Sequence, residues 1–369
     1  MNQKQKVTAE RYPESSAEEI VRIVGQLGDA LPEQRFFTSL PWITAWLESH
    51  QLIPDLIVFR QQGEIVGFTF LGQRQQKRGL FSWRQGYLNQ TGHAGPDQIW
   101  IEYNTIICII EQQLCIDALI SMLIRDRVHR LTVSMTHTPE AWQNVARLRQ
   151  LTISCEPQFA ARFRFDGKEI DLHLSSNTRS QIRRSIRVVE KEYGALALTP
   201  LTDPKELQQG FEEMATLHRE RWGQTEQGSG FDNPAFVAHH QQLLSDYPEH
   251  AKLVRVTAGE KLLGYSLNFF WNHQVYFYCS GMNYRFTDNK IKPGYVLHYL
   301  LLQDYASKGL ACYDFLAGFS RYKKSLSNEL YSLYTLDILL PSAKGSVIKQ
   351  LQRFKSAGAR LRRWHLWKK

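Results

Sequence analysis

The chain has 369 residues, 43% hydrophobic, 12% aromatic and 22% charged, a composition that can bury a sizeable core and excludes disorder and small disulfide-held scaffolds. At roughly 100 to 200 residues per domain this length suggests two halves. The net charge of +9 is localised: Lys344 to Lys369 contain nine Lys/Arg and no acid, while the remaining 36 basic residues face 36 acidic ones, so a neutral body carries a basic tail.

In chain order, the first sixteen residues lack the apolar run of a secretion signal, and the most apolar stretch, 106–124, is interrupted by Glu111, Gln112, Gln113 and Asp117. A cytoplasmic location is expected. The segment from Leu56 to Phe70, with Gly63-Glu64 and Gly67, reads like that from Leu253 to Leu267, with Gly259-Glu260 and Gly264. Each predicts a strand, a Gly-Glu turn and a second strand. Each is followed by a strand pattern, a long helix and a short strand. The helix and short strand lie near 106–127 and 130–135 in the first half, and at 294–308 and 311–316 in the second. Two similar α/β units, 1–170 and 171–341, thus repeat at an offset of 197 residues. Cys108, Cys115, Cys155, Cys279 and Cys312 form no C-x-x-C pair, so reduced thiols and no metal site are expected.

A helix is predicted over 177–193, with Ile182, Ile186, Val189 and Tyr193 on one stripe. Its charges run against the helix dipole: Arg179, Arg183, Arg184 and Arg187 precede Glu190 and Glu192. A solvated basic face and an anion-facing role both fit. The next helix opens on Asp203, Pro204 and Glu206, and its stripe of Leu207, Phe211 and Met214 runs on into His218 and Arg221. A loop with Gly223, Gly228 and Gly230 follows; no G-K-[ST] accompanies it, which excludes a P-loop. Leu262–Trp271 and Gln274–Gly281 then predict a hairpin turning at Asn272-His273, with Tyr276 and Tyr278 on one face. Lys290, Lys292, Pro293, Gly294 and Tyr295 open a further helix, and a strand-to-helix junction with lysines nearby suits a diphosphate as well as an ordinary connection.

These features, with Tyr313-Asp314-Phe315-Leu316-Ala317-Gly318 and Tyr322-Lys323, resemble the GNAT superfamily, and within it the CelD/BcsL-like acetyltransferases of cellulose and exopolysaccharide biosynthesis, relatives of the FemABX peptidyltransferases. The resemblance covers about Ser175 to Lys324, and the first half fits as a degenerate copy. It implies an α/β (α+β) fold of tandem GNAT-like units, each a twisted mixed sheet flanked by helices, with an acyl-CoA lying where two central strands splay. The pyrophosphate loop would be the junction at Lys290, Lys292, Gly294 and Tyr295. It departs from the superfamily pattern, with Pro293 before the glycine and Val296 where a second small residue is expected.

The resemblance further implies an acyltransferase, using acetyl-CoA or another acyl-CoA and no metal, that acts on a sugar, amino acid or polysaccharide precursor. Asp314 is the candidate base, since an acid in an apolar strand needs a reason, and a structural carboxylate is the competing reading. Tyr322 is the candidate acid. His218, Arg221, Tyr278 and Lys323 would line an acceptor pocket suited to an anionic or hydroxyl-rich molecule. Two alternatives are FemABX-like transfer from aminoacyl-tRNA, the one route by which nucleic acid would be a partner, and a non-catalytic role in an envelope-polysaccharide system. In the tail (342–369), Val347, Leu351, Phe354, Leu361 and Trp364 are spaced for one helical face. A basic amphipathic helix is expected there, lying on the membrane or packing against the second unit.

Overall fold

The computed structural model describes residues 6–13, 16–32, 34–49, 54–79, 81–225, 228–285, 291–318 and 320–341; Lys290 and the basic tail lie outside the described residues. The first unit comprises β1 (Val7–Tyr12), α1 (Ala17–Leu27), α2 (Leu40–Ser49), β2 (Asp55–Gln61), β3 (Glu64–Arg78), β4 (Phe81–Leu88), β5 (Ile107–Cys108), α3 (Gln112–Arg125), β6 (Arg130–Thr136), α4 (Pro139–Leu148) and β7 (Thr152–Arg164). After α5 (Ile170–His173) and α6 (Ser176–Tyr193) the second repeats the succession: β8 (Leu196–Pro200), α7 (Pro204–Trp222), α8 (Pro234–Asp246), β9 (Ala251–Ala258), β10 (Lys261–Trp271), β11 (Gln274–Met282), α9 (Pro293–Ser307), β12 (Cys312–Ala317), α10 (Arg321–Ser325) and β13 (Glu329–Leu339). Only β5 has no counterpart among the described residues.

These strands form one continuous sheet in the order β1-β2-β3-β4-β6-β13-β7-β12-β11-β10-β9-β8, with β5 beside β3. The units exchange their last strands. β7, which closes the first unit in sequence, pairs with β12 of the second, and β13 crosses back to pair with β6. β7 and β13 also pair along their whole length, from Glu329↔Arg162 to Leu339↔Thr152, so neither unit presents a raw edge at the centre.

The sequence repeat has a structural cause. Against β2 the register of β3 slips between Ile65 and Gly67, opposite Arg60 and Phe59, and against β9 that of β10 slips between Leu262 and Gly264. Both slips are bulges that bend the strand across the core. Glycine is required at each: a Cβ on Gly67 would meet Ile107 O at 2.5 Å, and one on Gly264, at φ +152°, would meet Gly281 O at 2.4 Å. The β10–β11 turn places Asn272 and His273 at φ 47° and 58°, as a two-residue hairpin demands.

One face of the sheet carries a core shared by both units, in which α2 packs on α8. Phe36 stacks on Phe269 with centroids 4.6 Å apart, and Trp42 meets the His239 ring edge-on at 4.5 Å. Such pairs contribute roughly 0.5–1.5 kcal/mol each beyond area burial, so the units are fused rather than tethered. The other face holds two separate cores, under α3 and α4 and under α6 and α9. Two of the four arginines of α6 are held by the α5 segment. Arg179 donates to the carbonyls of Asp171 and Leu174, and Arg183 pairs with the Asp171 carboxylate at 2.5 Å. The buried Ser185 hydroxyl accepts from Lys292 N–H at 3.1 Å, which ties α6 to the start of α9. All five cysteines are free thiols.

Candidate active site

The site begins at a fork. β11 and β12 run parallel and pair only from Gln274↔Cys312 to Tyr276↔Asp314, and then separate. A register shift in β12 between Asp314 and Ala317 accompanies the separation, with Leu316 at φ 62°. A left-handed leucine costs about 1 kcal/mol, and bulges of this kind re-aim backbone groups beside functional sites. β4 and β6 make the same fork in the first unit, pairing only from Gln85↔Arg130 to Tyr87↔Thr132, with Met135 at φ 52°. There the gap is bridged: Asn104 N–H donates to Met135 O, and its side chain donates to Leu88 O, both at 3.0 Å.

In the second unit the fork opens on a cleft of about 390 Å³. Tyr278 and Cys279 of β11, Phe315 to Ala317 of β12, His218 and Trp222 of α7, and Lys323 of α10 form its walls, and the first unit completes it with Gln98, Trp100 and Glu102. The bulge organises the polar groups. Ala317 N–H donates to Glu102 Oε2 at 2.8 Å, while Ala317 O accepts from Lys323 Nζ at 2.7 Å. One residue, Ala317, therefore holds a carboxyl on its N–H and an ammonium on its carbonyl. Burial pushes Glu102 up to about 7, opposed by the Ala317 N–H and Lys323. Burial also pushes the Lys323 ammonium down, opposed by Glu102 and Asp314. A carboxyl poised near neutrality beside a cation is suited to taking a proton from an acceptor.

The residues singled out from sequence are dispersed around this centre. Asp314 is fully buried and does not line the cleft. Both its oxygens are engaged: Tyr331 OH lies 2.7 Å from Oδ1, Leu316 N–H 2.8 Å from Oδ1, and Tyr103 OH donates to Oδ2. Its partners are two tyrosine hydroxyls and one backbone N–H, bonds of the kind a structural carboxylate makes. Tyr322 flanks the fork on the α9 face, its ring stacked on His298 at 4.9 Å and 8°. Tyr278 lines the cleft and accepts from Trp100 N–H at 3.0 Å, a bond between units. His218 also lines the cleft, its Nδ1 2.9 Å from Ser229 Oγ, and burial lowers it to about 4, so it is neutral. Arg221 does not reach the cleft; it is exposed, lying over the rings of Trp222 and Tyr284. Lys323 reaches the centre as expected of a pocket residue. Lys292 is exposed at the N-cap of α9, with Gly294 and Tyr295 in its first turn. Nothing lies within 4 Å of a Cβ built on Gly294, so the helix start faces open space, as a diphosphate would need.

Glu102 was missed because its only local signal is an acid between Ile101 and Tyr103, in the long β4-to-α3 connection of the other unit.

One continuous mixed sheet built from two repeated halves, each forked between parallel strands, with the second fork open beside a Pro-Gly helix start, has the fold of a tandem GNAT-like protein. Residues 176–324 match the family described as acetyltransferase (GNAT) domain. The fold is similar to that of FemX, with 12% identity, a TM-score of 0.58 and coverage of 93% of this chain and 99% of that one. It is also similar to a tandem GNAT protein of the clavulanic acid biosynthesis pathway (12%, 0.51, 90% and 99%) and to a conserved protein of unknown function from Bacteroides thetaiotaomicron (11%, 0.53, 89% and 98%). No curated protein matches the chain in sequence. Over residues 176–324 the chain is thus similar to a GNAT acetyltransferase domain, which supports an acyltransferase.

Proposed function

We propose that residues 171–341 form the catalytic unit of an acyl-CoA-dependent N- or O-acyltransferase, that residues 1–170 are a degenerate copy retained to complete the cleft, and that Glu102 is the general base. The observation that carries this reading is Ala317, whose N–H is held by the Glu102 carboxyl and whose carbonyl is held by the Lys323 ammonium, at the mouth of the fork. The acyl-CoA supplies the thioester. Its diphosphate would rest on the α9 start at Lys292, Gly294 and Tyr295, and on Lys290, and its arm in the β11–β12 fork. The acceptor enters from the cleft and gives its proton to Glu102 as it attacks the thioester carbonyl. The C–S bond breaks, and Tyr322, on the opposite side of the fork, protonates the thiolate. Lys323 holds the bulge and favours the Glu102 carboxylate. Asp314 is a positioning group that fixes Tyr103, and with it the adjacent Glu102.

Trp100 and Trp222 line the cleft while 51% and 42% exposed. Partly exposed indoles beside a carboxyl suit the ring of a saccharide, which favours a sugar or polysaccharide precursor over an amino acid and agrees with the CelD/BcsL-like resemblance; acetyl transfer at a cytoplasmic site belongs to the same proposal. No helix among the described residues is long and apolar enough to cross a membrane.

A second reading, aminoacyl transfer from tRNA, draws support from the full-length likeness to FemX. Calorimetry with acetyl-CoA, followed by a thiol-release screen over amines and sugars, tests the first reading; saturable binding and release with a sugar acceptor are expected. Filter retention of charged tRNA that outlasts rising salt, with no acyl-CoA binding, would replace it with the second.

A further inference from the structure

We propose that the first unit holds a second ligand site, a cleft beside Arg35 that binds a small hydroxylated carboxylate. This does not rest on the acyltransfer reading. The cleft measures about 320 Å³, at the lower end of the range for small-molecule sites. Its polar walls are Gln34, Arg35, Thr38, Thr105, Gln112 and His137. It occupies the place in the first unit that the cleft at Glu102 and Lys323 occupies in the second. His137 stands two residues beyond Met135, the left-handed residue near the end of β6, as Gly318 stands two beyond the left-handed Leu316 of β12. Arg35 precedes the short helical turn Phe36–Thr38 ahead of α2, as Ser229 precedes the turn Gly230–Asp232 ahead of α8. The forks differ. Asn104 closes that of the first unit, so a ligand in this cleft meets no thioester.

Arg35 sets the charge of the ligand. Its guanidinium is half-buried, donates to Gln274 Oε1 at 3.0 Å and lies over the Tyr103 ring at 5.3 Å. Tyr276, Tyr103 and a second cation, Arg162, lie close enough to act on it. Among the described residues no carboxylate lines the cleft or pairs with Arg35. A cation drawn partly out of water without an acid is stabilised by an anion that reaches it, and a guanidinium receives a carboxylate through two parallel hydrogen bonds. One fixed cation matches the single charge of a carboxylate, whereas a phosphate monoester carries nearly twice that charge. The second cation would have to be His137, which lies edge-on to Tyr103 with ring centroids 5.6 Å apart. His137 keeps exposed surface, yet the protein packed around it and Arg35 hold its imidazole below the ordinary value, opposed by the Tyr103 backbone and Glu140, so it is neutral at neutral pH. The uncharged groups are fixed in place: Thr38 Oγ1 donates to Gln34 Oε1 at 3.3 Å and to Arg35 O at 3.1 Å, and Gln112 Nε2 donates to Thr105. Amides and hydroxyls oriented in this way suit a ligand that carries hydroxyls beside its carboxylate.

Calorimetry of the full-length protein at neutral pH with glucuronate, gluconate, glucose and glucose 6-phosphate tests the proposal. Saturable binding of a carboxylate at one site per chain is expected, with weaker binding of glucose 6-phosphate and none of glucose. Arg35→Met should weaken carboxylate binding by about tenfold or more, as loss of a charged hydrogen-bonding partner does, with an unchanged circular dichroism spectrum. Arg35→Lys keeps the charge and loses the paired donors, so it should weaken binding by about threefold, and it carries the test where Arg35→Met does not fold. Lys323→Met and Gly294→Val alter the second unit and should bind the carboxylate as the wild type does. Absence of saturable binding by both carboxylates would overturn the proposal, as would wild-type affinity in the Arg35 variants. Tighter binding of glucose 6-phosphate than of either carboxylate would overturn the assigned ligand class, and loss of carboxylate binding in Lys323→Met would move the site to the second unit.

Discussion

Replacing Glu102 by Gln removes one charge while keeping an oxygen that accepts from Ala317 N–H, so its consequences follow from the ionisation of this carboxyl alone. In the fold the group is raised from 4.5 to about 7. As base it must be ionised, so kcat/KM of the wild type should rise with pH to a plateau, with a midpoint near 7. In Glu102→Gln that rise should vanish, and turnover at pH 8 should fall by about 100-fold or more, as removal of a general base typically does. Stability moves the opposite way. A carboxyl whose folded value lies above its unfolded one binds its proton more tightly in the fold, so its favourable contribution is lost as pH rises from 4.5 through 7. The 2.5-unit difference corresponds to about 3 kcal/mol at pH 8. Glu102→Gln escapes that loss, and because the folded value already includes the attraction of Lys323, the variant should be more stable than wild type by up to about 3 kcal/mol at pH 8 and close to it at pH 4. Urea unfolding at both pH values and a pH–rate profile with acetyl-CoA and the best acceptor measure the two effects. A variant within fivefold of wild-type turnover at pH 8, or one that keeps a midpoint near 7, would refute the assignment.

Lys323→Met should raise the midpoint of the pH–rate profile above 7, because the ammonium now holds Glu102 down, and a profile shifted to lower pH would contradict the pairing. Gly294→Val should weaken acetyl-CoA binding by about tenfold or more in calorimetry while leaving the melting temperature within a few degrees, since the added side chain enters open space and valine is no worse a helix former than glycine. Asp314→Asn should lower stability by about 1–3 kcal/mol, because an amide cannot replace the second oxygen that receives a tyrosine hydroxyl. It should lower the pH midpoint only slightly, since Asp314 is the weakest of the influences that raise or lower Glu102; loss of the midpoint itself would return the base role to Asp314.

The two-unit plan was legible because its signals are local. Gly67 and Gly264 are fixed by backbone crowding at equivalent bulges, Asn272-His273 by the hairpin turn, and Asp203 by its bonds to Lys205 N–H and Glu206 N–H at the start of α7. The exchange of β7 and β13 was not legible, since both strands alternate like any half-buried strand and nothing in either names its partner. Lys323 and Tyr278 were found because they lie within the stretch that carries the chemistry. Arg221 was misplaced by its own helical stripe: one position beyond the last buried turn of α7, the side chain swings outward over Trp222 and Tyr284.

Glu102 depends on all of these features together and is encoded by none of them alone. The exchanged strands bring β6 and β12 to the two flanks of the β13–β7 pair, so the chain emerging from the first fork is directed at the second. Asn104 closes the first fork by bonding Leu88 and Met135. Tyr103, one residue earlier, then falls against Asp314, and Glu102, one earlier again, against the Ala317 peptide. A three-residue segment thus occupies the position where the first unit would bind an acyl donor and delivers a carboxyl to the position where the second would use one. On this reading the loss of one site and the completion of the other are the same structural event, which explains why a degenerate copy is retained at full length.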